Sequence, residues 1–425
     1  MSAYPLSPAL SGHTEATSTE NAARILLALF VFGGSFVMFE PSPYEILFIP
    51  TLLLFVLAGL RVHVSSFPMI VLLVLFNIGG VLALPQAIRY ENTVQYVIIS
   101  VFMAANAVFF AALMTTHTLA RFEVLKRAYI WSAVIAAFLA IIGYFDVAGL
   151  SETLTRYNRA KALFKDPNVF APFLVLPLVL LLQDMLLGSI RKIIAALPFY
   201  LVILFGAFLS FSRAAWTHVV LSSALMVFFL LIFSSTTRLR LRVAFVSFFG
   251  AALLAAGLAA VITIPEVRSV FEERASLSQS YDVQDGGRFS NQARGLRYIV
   301  DRPLGLGPYG FSRIFPSDPH NVYLNAFFAY GWLGGVSYFA LIVLTWAMGF
   351  WALFLRSPYR LPLGAVMATF SILTLEGIII DTDHWRHFFL LLGLVWGFVA
   401  AVMKWRQTNP APISEQSYTR RTTTG

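Results

Sequence analysis

The sequence predicts an all-α, polytopic membrane protein of about 12 transmembrane helices, interrupted by one long loop that carries short helices. Three observations lead there. Only 12% of the 425 residues are charged and 58% are hydrophobic, whereas a soluble domain carries about 25% charged residues. The mean hydropathy is +0.76 and the chain holds 40 Phe. Apolar runs recur at about 20 residues, the helix length that crosses a hydrocarbon core. So few charges cannot coat a water-soluble fold of this size. A nucleic-acid-binding domain and a disordered chain are excluded on the same ground. The absence of cysteine removes disulfide scaffolds, Cys metal sites and Cys nucleophiles.

Taken in order, residues 1–21 hold Glu15 and Glu20 but no basic start of a cleavable signal, and are expected to form a cytosolic tail. Apolar stretches follow at 22–39, 44–60, 67–85, 93–114, 125–145, 168–187, 192–209, 214–233 and 243–264, filling 22–264 with nine spans. A long loop, 265–327, comes next, expected on the outer side. Stretches at 328–355, 361–380 and 385–404 give the last three spans across 328–404, and 405–425 form a second cytosolic tail.

Loop charge sets this orientation. With the N-terminus inside, every inner loop receives Lys or Arg, among them Arg61, Arg121, Arg191, Arg240 and Arg356, as the positive-inside rule asks. The outer face nevertheless keeps a basic excess. Arg156, Arg159, Lys161 and Lys165 crowd the short loop after the fifth span. Arg268, Arg274, Arg288, Arg294, Arg297, Arg302 and Arg313 occupy the long loop, and Arg89, Arg213 and Arg386 complete the outer set. Long loops escape the rule, so their charges are also what a solvated face carries. The short-loop cations work against insertion and point to an anionic ligand: a lipid headgroup, a phosphate or an acidic sugar. No repeat of 20–50 residues is visible, which speaks against a transporter.

Arg213 lies in SFSRAAW, residues 210–216, between two spans. A cation in hydrocarbon costs about 2.5–3.5 kcal/mol. It either snorkels to the interface or grips phosphate oxygens with its rigid fork, with Ser210 and Ser212 as extra donors. In the long loop, Gly286 and Gly287 make a turn, and 290–300 reads as a helix. Phe289, Ala293, Leu296 and Val300 share one side of it, with Arg294 and Arg297 adjacent, the pattern of a short helix on a membrane surface. Gly305, Gly307 and Gly310 spell GxGxxG, but Pro308 lies inside and no strand precedes it, so the reading is a tight loop leading back to His320. His320, in DPHNVYLN, introduces the next helix. An unperturbed imidazole is mostly neutral at pH 7, as a general base requires, and Asp318 stands two residues away to orient it. Asp381, Asp383, His384 and His387 in DTDHWRH read as an ordinary polar loop rather than a metal site.

These segments resemble the O-antigen ligase and O-antigen polymerase superfamily of bacterial membrane proteins. KALFKDPNVFAPF, LSFSRAAW and the Arg-rich loop running RPLGLGPYGFSRIF…DPHNVYLNAFFAYGWLGG carry the resemblance, with DTDHWRHFFLLLGLVWG as a weaker fourth. It implies a GT-C-type glycosyltransferase on the periplasmic face of the inner membrane, using a glycan on undecaprenyl diphosphate and needing neither metal nor cofactor. A ligase passes the glycan en bloc to lipid A–core, and a polymerase passes it to the next lipid-linked repeat unit. By motif, Arg213 and Arg288 match diphosphate-binding arginines and His320 matches the proposed base on the acceptor hydroxyl. Arg294 and Arg297 are looser matches, and Arg159 and Lys161 are further candidate anion contacts. The ligase is the leading expectation, the polymerase the alternative. A lipid-linked oligosaccharide flippase is more remote, because the spans are nearly free of charge.

Overall fold

The computed structural model describes residues 18–87, 90–234, 236–264, 267–269, 271–272, 287–316 and 318–409. Glu15, Arg89, Arg274, Gly286, Arg420 and Arg421 lie outside them. The helices are α1 (Ser18–Phe32), α2 (Pro43–Leu57), α3 (Phe67–Ala83), α4 (Tyr90–Leu113), α5 (Thr118–Tyr144), the single turn α6 (Ser151–Leu154), α7 (Pro167–Phe173), α8 (Val175–Leu187), α9 (Ile190–Leu209), α10 (Arg213–Phe233) and α11 (Thr237–Val261). After the long loop's α12 (Arg288–Ile299) come α13 (Val322–Phe354), α14 (Arg360–Glu376) and α15 (Arg386–Thr408). Among the described residues the only strands are β1 (Thr155–Arg156) and β2 (Arg159–Ala160). The chain is thus all-α.

All twelve apolar stretches are helical, yet nine helical segments among the described residues are long and apolar enough to cross a membrane. One of these, Pro167–Leu187, combines α7 and α8. The other three stretches form α1 and α2, of 15 residues each, and α14, of 17. The reason is local punctuation: α1 runs into Gly33–Gly34, α2 cannot start before the Ser42 cap and Pro43, and α14 stops at Gly377.

Helix α15 is enclosed along Phe388–Val402. It meets α4 through Gly393 and Gly397, where an added Cβ would stand 2.4 Å from the Ala107 carbonyl and 2.6 Å from Met114 Cβ. Gly79 of α3 meets the Tyr330 carbonyl of α13 in the same way, at 2.4 Å. In an apolar solvent, close backbone approach between small residues is a main source of helix association.

Polar contacts sort to two ends of the bundle. At one end, Arg121 is 1% exposed and grips Glu20 with Nε at 3.0 Å and Nη2 at 2.8 Å, while Lys404 donates to the Thr115 carbonyl at 2.7 Å. Glu20→Ala would strand that buried guanidinium, so a loss of about 3–5 kcal/mol is expected. Thermal unfolding in detergent checks this, and a melting temperature equal to the parent's would contradict it. The opposite end gathers Glu40 with Lys165, Glu45 with Arg386, and Tyr96 with Asp383.

Candidate functional site

Arg213 is the first residue of α10 and is half-buried. The turn before it is built by Phe211 in the left-handed region, φ 47°. Ser210 donates its hydroxyl to the Ala207 carbonyl at 2.7 Å, and Ser212 caps the helix by accepting from the Ala215 N–H. The two serines therefore shape the turn: Ser210's proton is engaged by the backbone. Trp216 Nε1 donates to the Phe208 carbonyl at 3.2 Å, closing the α9–α10 corner.

The short basic loop is a hairpin. Thr155 pairs with Ala160 and Arg156 with Arg159, and Tyr157 and Asn158 both take positive φ, as a two-residue hairpin turn needs. Arg156 and Arg159 are partners across the pair, yet Arg156 is exposed and Arg159 is buried. Arg159 turns inward, buried, donating Nε to the Ser210 carbonyl at 2.7 Å and Nη2 to Asn168 Oδ1 at 2.6 Å. Arg156 pairs with Asp166, Lys165 with Glu40, and Lys161 donates to the Thr153 carbonyl at 2.6 Å. Burial, followed by the nearby Arg156, lowers the Lys161 pKa. Three of the four cations thus have partners at the surface near the hairpin, and Arg159 alone joins the SFSR turn.

The residues that follow α14 tie the remaining site elements together. The Gly377 carbonyl accepts from the Val322 N–H at 2.8 Å, at the start of α13. The Ile379 carbonyl accepts from Arg288 Nη1 at 3.3 Å, at the start of α12. Asp381 accepts from the Asn321 N–H at 3.0 Å and from the His320 N–H. His320 is half-buried and itself left-handed, φ 43°, and Gln292 of α12 donates to the carbonyls of Pro319 and His320. Asn321 then caps α13 through Leu324 N–H. Arg288 and His320 are therefore held against one stretch, 377–381.

Asp318, expected to orient His320, accepts instead from Ser312 at 2.8 Å. The carboxylate at the His320 backbone is Asp381, because Pro319 and the left-handed His320 turn the chain toward it. Its neighbour Asp383 accepts from Tyr96 OH at 2.6 Å and faces His384 Nδ1 at 3.2 Å and Asn325 Nδ2 at 3.5 Å. Burial would raise the Asp383 pKa, but the adjacent His384 and the hydrogen bonds hold it below the usual carboxylate range. Burial alone would lower the His384 pKa, but Asp383 raises it. Among the described residues no group of three His, Asp or Glu is placed to hold a metal ion.

Burial, with Asp383 close by, pushes the Asp381 carboxyl up to about 8 despite the two N–H donors. A carboxyl raised in the folded state contributes stability that is complete below the unfolded pKa and is lost as pH rises through the folded one. Asp381→Asn keeps an acceptor for both N–H groups and removes the titration. The melting temperature of this variant is expected to gain on the parent between pH 5 and 9; a constant difference would refute the shift.

In α12 the inward face is Asn291, Gly295 and Ile299, with Gly295 packed on Phe311 so closely that a Cβ would stand 2.7 Å from its ring. The expected apolar side, Phe289, Ala293, Leu296 and Val300, is exposed, as on a helix that rests on lipid. Arg294 donates to Asn291 at 2.6 Å beneath Phe315, and Arg297 is exposed. The loop glycines serve folding. Gly305 and Gly331 both take positive φ, and the Leu306 N–H to Phe328 carbonyl bond (2.8 Å) docks the loop on the α13 kink at Gly331.

Sequence reading missed Asp381 as a partner of His320, and nothing in DTDHWRH marked it. The inward turn of Arg159 had no signal in TRYNRA, residues 155–160, because Arg156 and Arg159 are cross-strand partners. No curated protein matches the chain. Residues 198–339, which contain Arg213, Arg288 and His320, match the family model described as O-antigen ligase. Through that segment, about a third of its length, the chain is similar to the O-antigen ligase family.

Proposed function

We propose that the protein is a ligase-type glycosyltransferase of the inner membrane, working on the periplasmic face with both termini cytosolic. It moves a glycan en bloc from undecaprenyl diphosphate to a lipid A–core-type acceptor. The observation that carries this reading is the 377–381 stretch, which holds the Arg288 side chain and the His320 backbone at the end of the bundle where α10 presents Arg213.

In this reading His320 takes the proton of the acceptor hydroxyl as its oxygen attacks the anomeric carbon. The new C–O bond forms from the face opposite the diphosphate, the old one breaks, and configuration inverts. Undecaprenyl diphosphate leaves carrying negative charge, which Arg213 and Arg288 stabilise as it develops. Arg159 supports the carbonyl of Ser210, three residues before Arg213. The chemistry asks for no metal, since fixed guanidinium charges replace a Lewis acid at the leaving group.

Glycan profiling of a deletion strain tests the acceptor. Long polymer retained on the polyprenyl carrier and missing from lipid A–core supports the ligase. Loss of polymer, with single repeat units left on the carrier or transferred alone, overturns it in favour of a polymerase.

A further inference from the structure

One buried polar pair lies beneath the site and outside these roles. His218 of α10 is 1% exposed and Glu376, the last residue of α14, is 6% exposed. His218 Nδ1 stands 2.9 Å from Glu376 Oε2, and Nε2 stands 3.1 Å from the Thr369 carbonyl of the same helix. Beyond that contact with His218, neither carboxylate oxygen of Glu376 has a hydrogen-bond partner among the described residues. A carbonyl only accepts, so Nε2 carries the hydrogen of that contact and Nδ1 faces the carboxyl.

Its two contacts grip α14 from opposite sides of one imidazole ring. Thr369 and Glu376 are two turns apart, so sliding α10 along α14 breaks both contacts at once. Arg213 lies five residues before His218, about 7.5 Å along the axis at 1.5 Å per residue. The two helices run antiparallel, which carries Arg213 to about the level of Gly377–Ile379, where Arg288 docks. Glu376 adjoins Gly377 in sequence, so the same residue joins the Arg213 helix to the stretch that holds His320.

We propose that His218 and Glu376 are positioning residues that set the depth of Arg213 relative to Arg288 and His320. The inference rests on the glycosyltransferase reading above and adds a device to it. An arginine displaced by about 1 Å from the leaving group costs roughly 10²-fold in rate while the donor still binds.

The test is transfer of a polyprenyl diphosphate-linked oligosaccharide by purified protein. Glu376→Ala is expected to lower kcat 30- to 100-fold with the donor KM within threefold. Glu376→Gln, whose amide still reaches Nδ1, should stay within fivefold of the parent. Because Glu376→Ala leaves His218 Nδ1 buried with no group facing it and risks unfolding, His218→Leu/Glu376→Leu is measured beside it. Paired apolar replacements of this kind usually fold, and the same kcat loss is expected. Parent-like kcat in the double variant, or a Gln variant as impaired as Ala, overturns the proposal. If the parent protein transfers no glycan, the glycosyltransferase reading itself has failed; if the parent is active and His320→Ala and Arg213→Ala abolish transfer, only the positioning role is lost.

Discussion

His320→Ala is expected to lower glycan transfer by about 10²–10⁴-fold, the range a positioned general base contributes. The fold should survive, because bonds of its backbone hold this position. Its N–H goes to Asp381 and its carbonyl receives Gln292, and neither needs the imidazole. The left-handed φ of 43° is less comfortable for Ala than for His, so His320→Asn, which tolerates that region, is the companion variant. Both should bind donor normally and fail in the chemical step. Release of glycan to acceptor by purified protein, followed by mass spectrometry, checks this. Transfer at the parent rate by either variant would remove His320 from the mechanism.

Arg213→Ala should also slow transfer, by a smaller factor. A charge-assisted contact to the leaving diphosphate is worth about 1.5–3 kcal/mol, or roughly 10- to 150-fold in rate. Arg213→Lys keeps the charge and loses the planar fork, so it should fall between parent and Ala. The N-cap that starts α10 belongs to Ser212, and the corner is closed by Trp216, so helix formation does not depend on the guanidinium. The kcat of the three proteins at saturating polyprenyl diphosphate donor gives the order. Equal kcat for Lys and Ala would mean that charge contributes nothing, and equal kcat for Lys and Arg would dismiss the fork.

Helices and the residue types of the site are legible in the chain itself. Hydropathy is local and additive, so a window of about 20 residues reports a membrane helix without knowledge of its neighbours. Arg213, Arg288 and His320 stand out because a cation or an imidazole at a membrane boundary needs a reason to be there. Helix length is less legible: α1, α2 and α14 end earlier than their apolar runs because Gly, Pro and cap chemistry act one residue at a time.

What joins these residues is decided by tertiary structure alone. The contact from Arg159 to Ser210 spans 51 residues, that from Asn321 to Asp381 spans 60, and that from Arg288 to Ile379 spans 91. No period or local motif encodes such distances. They follow from which helices pack together, and that depends on glycine contacts such as Gly79 on Tyr330 and Gly393 on Ala107. In sequence Asp381 is one loop carboxylate among others, and it gains a role only because the α14–α15 connection lies against the His320 backbone. The outward apolar side of α12 has the same origin: the cover over Phe311 admits only a residue without a side chain, so Gly295 faces inward and Phe289 and Leu296 face out. Composition and residue type are properties of the chain alone, whereas the shared stretch at 377–381 is a property of close packing among helices distant in sequence.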